Sequence, residues 1–212
     1  MTITLQDVLP SYFEESRRQQ SEVWGKQLVF NKGEYIKIVA PSGSGKSSLT
    51  HFLYGMRNEY NGNLLYDKAD LKSFSVEDFA RYRKDHISIV FQDLRLFTEH
   101  SALENISIKR SLHPFGEDRI AEMAKRLGIE SKLPQNAGIC SYGERQRIAI
   151  IRALQQPFDF IILDEPFSHL DEANSKKALA LIEEETAKRG AAIILADLEP
   201  VPFYKADKTI NL

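Results

Sequence analysis

Residues 40 to 47 read Ala-Pro-Ser-Gly-Ser-Gly-Lys-Ser, and these residue types at this spacing are suited to holding phosphate. A triphosphate carries several negative charges, so backbone N–H groups must reach it unobstructed, and Gly43 and Gly45 remove the side chains that would stand in the way. The loop follows the apolar run Ile36 to Ala40, expected as a buried strand. It precedes Ser47 to Met56, expected as a helix whose positive dipole end faces the phosphates. Lys46 would set its ammonium between the β and γ phosphates, and the Ser47 hydroxyl would ligate a bridging Mg²⁺. Ala40 departs from the GxxxxGK[ST] pattern at the first glycine, a change that a negative φ would tolerate.

A second group lies at Phe160-Ile161-Ile162-Leu163-Asp164-Glu165, an apolar strand ending in two acids. A buried strand delivers carboxylates only at its tip, where ligands sit in α/β sheets. Asp164 is then the expected metal partner and Glu165 the general base for an attacking water. Adjacent strand residues point to opposite faces, so the chain must turn at the strand end for both to reach one site. A third group, Cys140-Ser141-Tyr142-Gly143-Glu144-Arg145-Gln146-Arg147, precedes a helix expected over Gly143 to Gln156, with Ile148, Ile151 and Leu154 on one buried face. Ser141 and Glu144 also read as a capping box, which needs no ligand.

The elements that must position these groups alternate in the C-terminal half. Strands are expected at Ile87–Phe91, Phe160–Leu163, Ala191–Leu195 and Lys208–Leu212, and helices at Glu117–Leu127 and Glu172–Arg189, the latter stopped by Gly190. This pattern points to a parallel sheet flanked by helices. Aromatic and β-branched residues around Tyr35 and from Asn61 to Tyr66, with Gly62 among them, suggest an antiparallel portion with a turn. The chain has 212 residues and a net charge of −2, which supplies no global basic field, so no nucleic-acid partner is expected. Cys140 is the only cysteine and cannot form an intramolecular disulfide. The longest apolar run, Ala191 to Ala196, is far short of the ~20 residues that span a bilayer. Any work at a membrane would therefore use another chain as anchor.

The loop at 40 to 47, Phe91-Gln92, the 141 to 147 segment, Leu163-Asp164-Glu165-Pro166 and Ser168-His169-Leu170-Asp171 follow one another in the order of the ATP-binding cassette (ABC) ATPases, which the chain resembles over nearly its whole length. Its signature segment is most similar to the lipoprotein-release, macrolide-export and cell-division members. The resemblance implies an α/β fold: a P-loop NTPase core with a mainly parallel sheet, an N-terminal antiparallel β portion and a helical subdomain. It implies one domain over 1–212, with 1–92 and 141–212 as the nucleotide-binding core and 93–140 as the helical subdomain. The implied ligands are ATP and Mg²⁺, and the implied assembly is a head-to-tail homodimer.

In that dimer Ser42, Gly43, Ser44, Gly45, Lys46, Ser47 and Ser48 of one chain would hold the phosphates, Ser141 and the backbone of Gly143 of the other would contact the γ-phosphate with Glu144 in the same signature segment, and Asp171 would lie in the loop crossing the seam. Gln92 would sense Mg²⁺ and water, so the implied catalytic set is Glu165, Gln92 and Lys46 and the metal set Ser47, Gln92 and Asp164. Tyr12 or Phe13 would stack on adenine, or simply pack as N-terminal aromatics. An integral-membrane permease subunit would dock on the 93–110 region, where Leu94, Leu96 and Phe97 either line a groove or fill the core. The implied location is cytoplasmic, peripheral on the cytosolic face of the membrane.

Besides Ala40, three positions depart from the family. Ala196 stands where a histidine normally contacts the γ-phosphate, Tyr142 replaces a glycine, and Cys140 replaces a leucine as a small apolar filler. Losing the histidine implies slow turnover with binding retained. The alternative class is a nucleotide-gated dimerisation module with little or no turnover. A chromosome-structure ATPase would need a coiled coil, and no sustained heptad stretch exists.

Overall fold

A computed structural model describes residues 1–109 and 117–212. Among these the strands are β1 (Thr2–Pro10), β2 (Gln27–Asn31), β3 (Tyr35–Val39), β4 (Tyr60–Tyr66), β5 (Ala69–Asp70), β6 (Ile87–Val90), β7 (Phe160–Asp164), β8 (Ala192–Asp197) and β9 (Lys208–Asn211). The helices are α1 (Arg17–Gln20), α2 (Lys46–Leu53), α3 (Val76–Asp85), α4 (Ala102–Ser107), α5 (Glu117–Arg126), α6 (Tyr142–Ala153) and α7 (Glu172–Arg189).

Five strands form a parallel sheet in the order β6-β7-β8-β3-β9, and four form an antiparallel sheet in the order β2-β1-β4-β5. Strands covered on both faces read as unbroken apolar runs, and β7 is buried at all five positions. The P-loop NTPase type of α/β architecture is therefore present, with both the parallel and the antiparallel portion. Gly190 ends α7 at φ 54, as its place after Arg189 predicts.

Two expectations about the antiparallel portion need correcting. Tyr35 opens an interior parallel strand and pairs with Ile193 of β8, because β3 buries Ile36, Lys37 and Ile38 in succession. Lys37 is tolerated there because its ammonium donates to the Val201 carbonyl at 3.0 Å. Gly62 lies within β4 at φ 80, and a Cβ on it would fall 2.4 Å from the carbonyl oxygens of Gln6 and Asp7. It serves a bulge where the β1 register shifts between Gln6 and Leu9, not a turn.

Residues 93 to 140 supply α4 and α5. Ile106, Ile120, Met123 and Leu127 from this stretch share one buried cluster with Ile148 and Ile151 of α6 and with Leu154, which caps it. Glu185 of α7, fully buried, accepts hydrogen bonds from Arg119 of α5 and from Lys188 and Arg189 on its own helix. Burial alone would raise the Glu185 pKa, and these cations more than reverse that. Among the described residues no helix is long and apolar enough to cross a membrane. The result that matters for chemistry is that β3, β7 and β8 end at one edge: Val39 sits beside Asp197, and Asp164 beside Ala196.

Candidate active site

The phosphate loop leaves β3 at Ala40, whose φ is not positive, so the methyl group costs no backbone strain there. Its N–H donates to the Asp197 carbonyl at 2.8 Å, which fixes the loop to the tip of β8. Gly43 and Gly45 take φ of 79 and 99, a region in which side chains are rarely found. A Cβ on Gly45 would also meet Trp24 at 2.9 Å and Phe13 at 3.0 Å. Trp24 is itself an anchor: its indole N–H donates to the Ser44 carbonyl at 2.9 Å. The Ser44 hydroxyl is buried without a protein partner, as suits a loop built to receive an anion.

Lys46 begins α2 and turns its ammonium onto Asp164 and onto Glu165, the latter at 2.9 Å, with the Gln92 amide oxygen at 3.4 Å. Burial alone would lower the Lys46 pKa, but the hydrogen bonds that its ammonium donates to Asp164 and then to Glu165 outweigh it, and the pKa is raised. The Thr50 hydroxyl, one turn beyond Lys46, donates to the other Asp164 oxygen at 2.9 Å. Glu165 reaches the same cluster because its backbone adopts φ 47, the turn that the paired acids required. That uncommon conformation is pinned on both sides: the Glu165 N–H donates to the Ala196 carbonyl at 2.9 Å, and the Gln146 side chain donates to the Glu165 carbonyl at 3.0 Å. Such a residue stores on the order of 1–3 kcal/mol of strain, which the surrounding bonds must hold.

Two cavities flank this cluster. One, of about 290 Å³, is lined by Phe13, Ser42, Gly43, Gly45, Lys46, Ser47, Ser48, Gln92 and Glu165 among others. The other, of about 380 Å³, is lined by Ser47, His51, Gln92, Asp93, Arg95, Tyr142 and Asp164. Of the two N-terminal aromatics, Phe13 faces the first cavity, while Tyr12 is mostly exposed and its hydroxyl is hydrogen-bonded to that of Ser48. His51, one helical turn after Ser47, was not singled out by the sequence pattern. Trp24, Thr50 and Gln146 were also missed. A helical i, i+4 count from Ser47 would have found His51; the other three are chosen by tertiary contacts.

Ser141 caps α6, accepting from the Glu144 N–H at 3.3 Å, while Glu144 accepts from the Ser141 N–H at 2.7 Å. That second bond is the main reason the Glu144 pKa is lowered. Gly143 is required by close approach, since a Cβ would stand 2.8 Å from the His169 carbonyl oxygen. Asp171 caps α7, accepting from the Asn174 N–H at 2.7 Å. Ala196 is fully buried among apolar residues that include Ile38 and Ala40, and the polar group at the end of β8 is Asp197. Burial raises the Asp197 pKa and the charge of Glu165 adds to this, with Lys46 opposing. Beyond Gln92, a cavity of about 170 Å³ is lined by Tyr54, Phe91, Arg95, Phe97, Ile108 and Arg152 among others. Leu94 belongs to the core, Leu96 is partly buried against it, and Phe97 is 56% exposed. Arg110, the last residue of the expected docking region, lies outside the described residues.

A model of the ABC transporter family matches residues 25–168. The chain belongs to that family. As an ABC transporter ATPase subunit it is 32% identical, over 99% of its length and 94% of the relative's, to the lipoprotein-releasing system ATP-binding protein LolD of Legionella pneumophila strain Paris. It is 27% identical over 89% of its length to the macrolide export ATP-binding/permease protein MacB of Rhodopirellula baltica, of which the match covers 28%. The resemblance of the signature segment to the lipoprotein-release and macrolide-export members is thereby upheld. A dimeric ATP-binding cassette in a post-hydrolysis state, bound to ADP and Pi, superposes with a TM-score of 0.79 at 23% identity, over 93% of this chain and 88% of that one. That likeness carries the fold. Among the described residues no group of three His, Cys, Asp or Glu side chains could hold a metal unaided. The donor set of one carboxylate, one hydroxyl and one amide oxygen fits Mg²⁺ only when phosphate oxygens complete it.

Proposed function

We propose that this ABC subunit binds MgATP, closes on a second copy head to tail, hydrolyses the nucleotide and drives a separate integral-membrane permease from the cytosolic face. The observation that carries this reading is the joining of Lys46, Asp164 and Glu165 under the phosphate loop, each less than a tenth exposed. ATP would draw Lys46 to its β and γ phosphates. Glu165, relieved of that cation, would accept the proton of the attacking water. Bound Mg²⁺, held by Ser47, Gln92 and Asp164, would neutralise charge on the phosphates. Ser42 to Ser48 would hold the triphosphate, with Phe13 or Tyr12 against the base.

Ser141, Gly143 and Glu144 would complete the site of the opposite chain, where the capped start of α6 offers N–H groups and a positive dipole end. Asp171 would lie at the seam. The permease would dock on the 93–109 surface, where Phe97 and Ile108 are exposed beside Arg95. The 93–140 stretch would act as the helical subdomain. LolD, the relative named above, is called part of a lipoprotein-releasing system, and a related export task is the one we assign here.

The placement of Ala196 favours a slower variant of the same cycle, since β8 presents a carboxylate and no imidazole at its tip. The decisive experiment is Glu165→Gln. It should abolish phosphate release and accumulate an ATP-dependent dimer on size exclusion. A variant that stays monomeric with saturating MgATP would sink the head-to-tail cycle, and unchanged phosphate release would remove Glu165 as the base.

A further inference from the structure

Position 142 carries a ring where the rest of the signature turn carries small or capping groups, and that ring touches two loops and a side chain of its own helix at once. The Tyr142 hydroxyl donates to the Gln92 carbonyl oxygen at 3.1 Å. Its ring lies on that of His169, with centroids 4.0 Å apart and planes 38° from parallel. The Arg145 guanidinium sits 5.0 Å from the same centroid. His169 is fixed in turn by its N–H, which donates to the Gln146 side chain at 3.2 Å, and Gln146 holds the Glu165 carbonyl. A glycine at 142 would make none of these side-chain contacts.

We propose that Tyr142 is a positioning residue for Gln92, tying the start of α6 to the loop after β6 within a single chain. The consequence is mechanical. The Gln92 side chain lines both cavities of the site and approaches Lys46, so its direction depends on where its own backbone carbonyl is held. The loop makes few backbone hydrogen bonds of its own. Leu94 and Arg95, which follow, adopt φ of 59 and 49, and their local N–H bonds run only to Phe91 and Asp93. Arg152 holds the far side of this loop through the Leu94 and Arg95 carbonyls, and Tyr142 holds the near side. Movement of the signature turn would thereby be passed to the metal-facing amide before any second chain engages. This inference rests on the role given to Gln92 above.

The test is Tyr142→Phe, which deletes the hydroxyl and keeps the ring on His169. Hydrogen exchange of the nucleotide-free chain should accelerate at the amides of 92–95 and stay unchanged at 167–170. Tyr142→Gly should accelerate both segments. ATP affinity, read from the fluorescence of the only tryptophan, Trp24, against the phosphate loop, should stay within about twofold in the phenylalanine variant. Turnover should fall about three- to tenfold, the range that one lost hydrogen bond supplies. Wild-type exchange at 92–95 in Tyr142→Phe overturns the tether. Faster exchange with unchanged turnover overturns its positioning role. A wild-type chain that binds MgATP without hydrolysing it would refute the role of Gln92, while the exchange result would still decide the tether.

Discussion

Strand β7 has an aspartate at each end and a lysine partner for both, and the two ends behave differently. Before the strand, Asp159 accepts from Lys32 at 2.5 Å and from His86 at 2.7 Å, with side chains 15% and 41% exposed for Asp159 and Lys32. At the other end Asp164 and Lys46 are 2% and 7% exposed. The residue types match; the dielectric does not. An exposed pair gains little because water screens it and ordering costs entropy. A buried pair pays a large desolvation cost and persists only when further bonds complete it. Thr50, Glu165 and Gln92 complete it here. The C-terminal edge of the sheet therefore concentrates buried charge, and the N-terminal edge carries a pair open to solvent.

The sharpest way to break this contrast is Lys46→Ala, which leaves two buried carboxylates facing each other. We expect a loss of about 3–5 kcal/mol in urea unfolding together with loss of ATP binding. Lys32→Ala should cost under about 1 kcal/mol. Equal costs would refute the account of the two ends. A smaller effect is expected behind the site, at Ala196→His. The ring would enter a fully buried position, so the variant should lose roughly 1–3 kcal/mol while its ATPase rate rises. An unchanged rate would refute the reading that the missing imidazole at this position slows turnover.

Smallest of all is Asp159→Asn. Burial alone would raise the Asp159 pKa, but hydrogen bonds from Lys32 and then His86 lower it. A lowered carboxylate stabilises the fold above its unfolded pKa and loses that contribution as pH falls through the folded value. Melting temperatures of the two proteins should therefore differ slightly at neutral pH and converge in acid. Divergence in acid would reverse the sign.

What was legible in the chain is what chemistry writes locally. The phosphate loop, the two acids at a strand tip, the capping box at Ser141 and the stop at Gly190 each lie within a few residues, and each appears in the structure where it was expected. What was not legible depends on partners distant in the sequence. Tyr35 looks like any antiparallel β residue until β8 and β9 flank it. β1 carries mixed polarity, and its identity as a strand comes from pairing with β2 and β4. Trp24, Thr50 and Gln146 earn their places by single hydrogen bonds to Ser44, Asp164 and Glu165.

The left-handed backbone of Glu165 has a further meaning for how such a chain can change over generations. Glutamate is a poor choice for φ 47, while asparagine and glycine adopt that region at lower cost. Replacing Glu165 by asparagine would remove the proposed base and relieve backbone strain in one step, while giving up the ion pair with Lys46. Backbone strain at this position thus works against the very acid that the proposed chemistry needs.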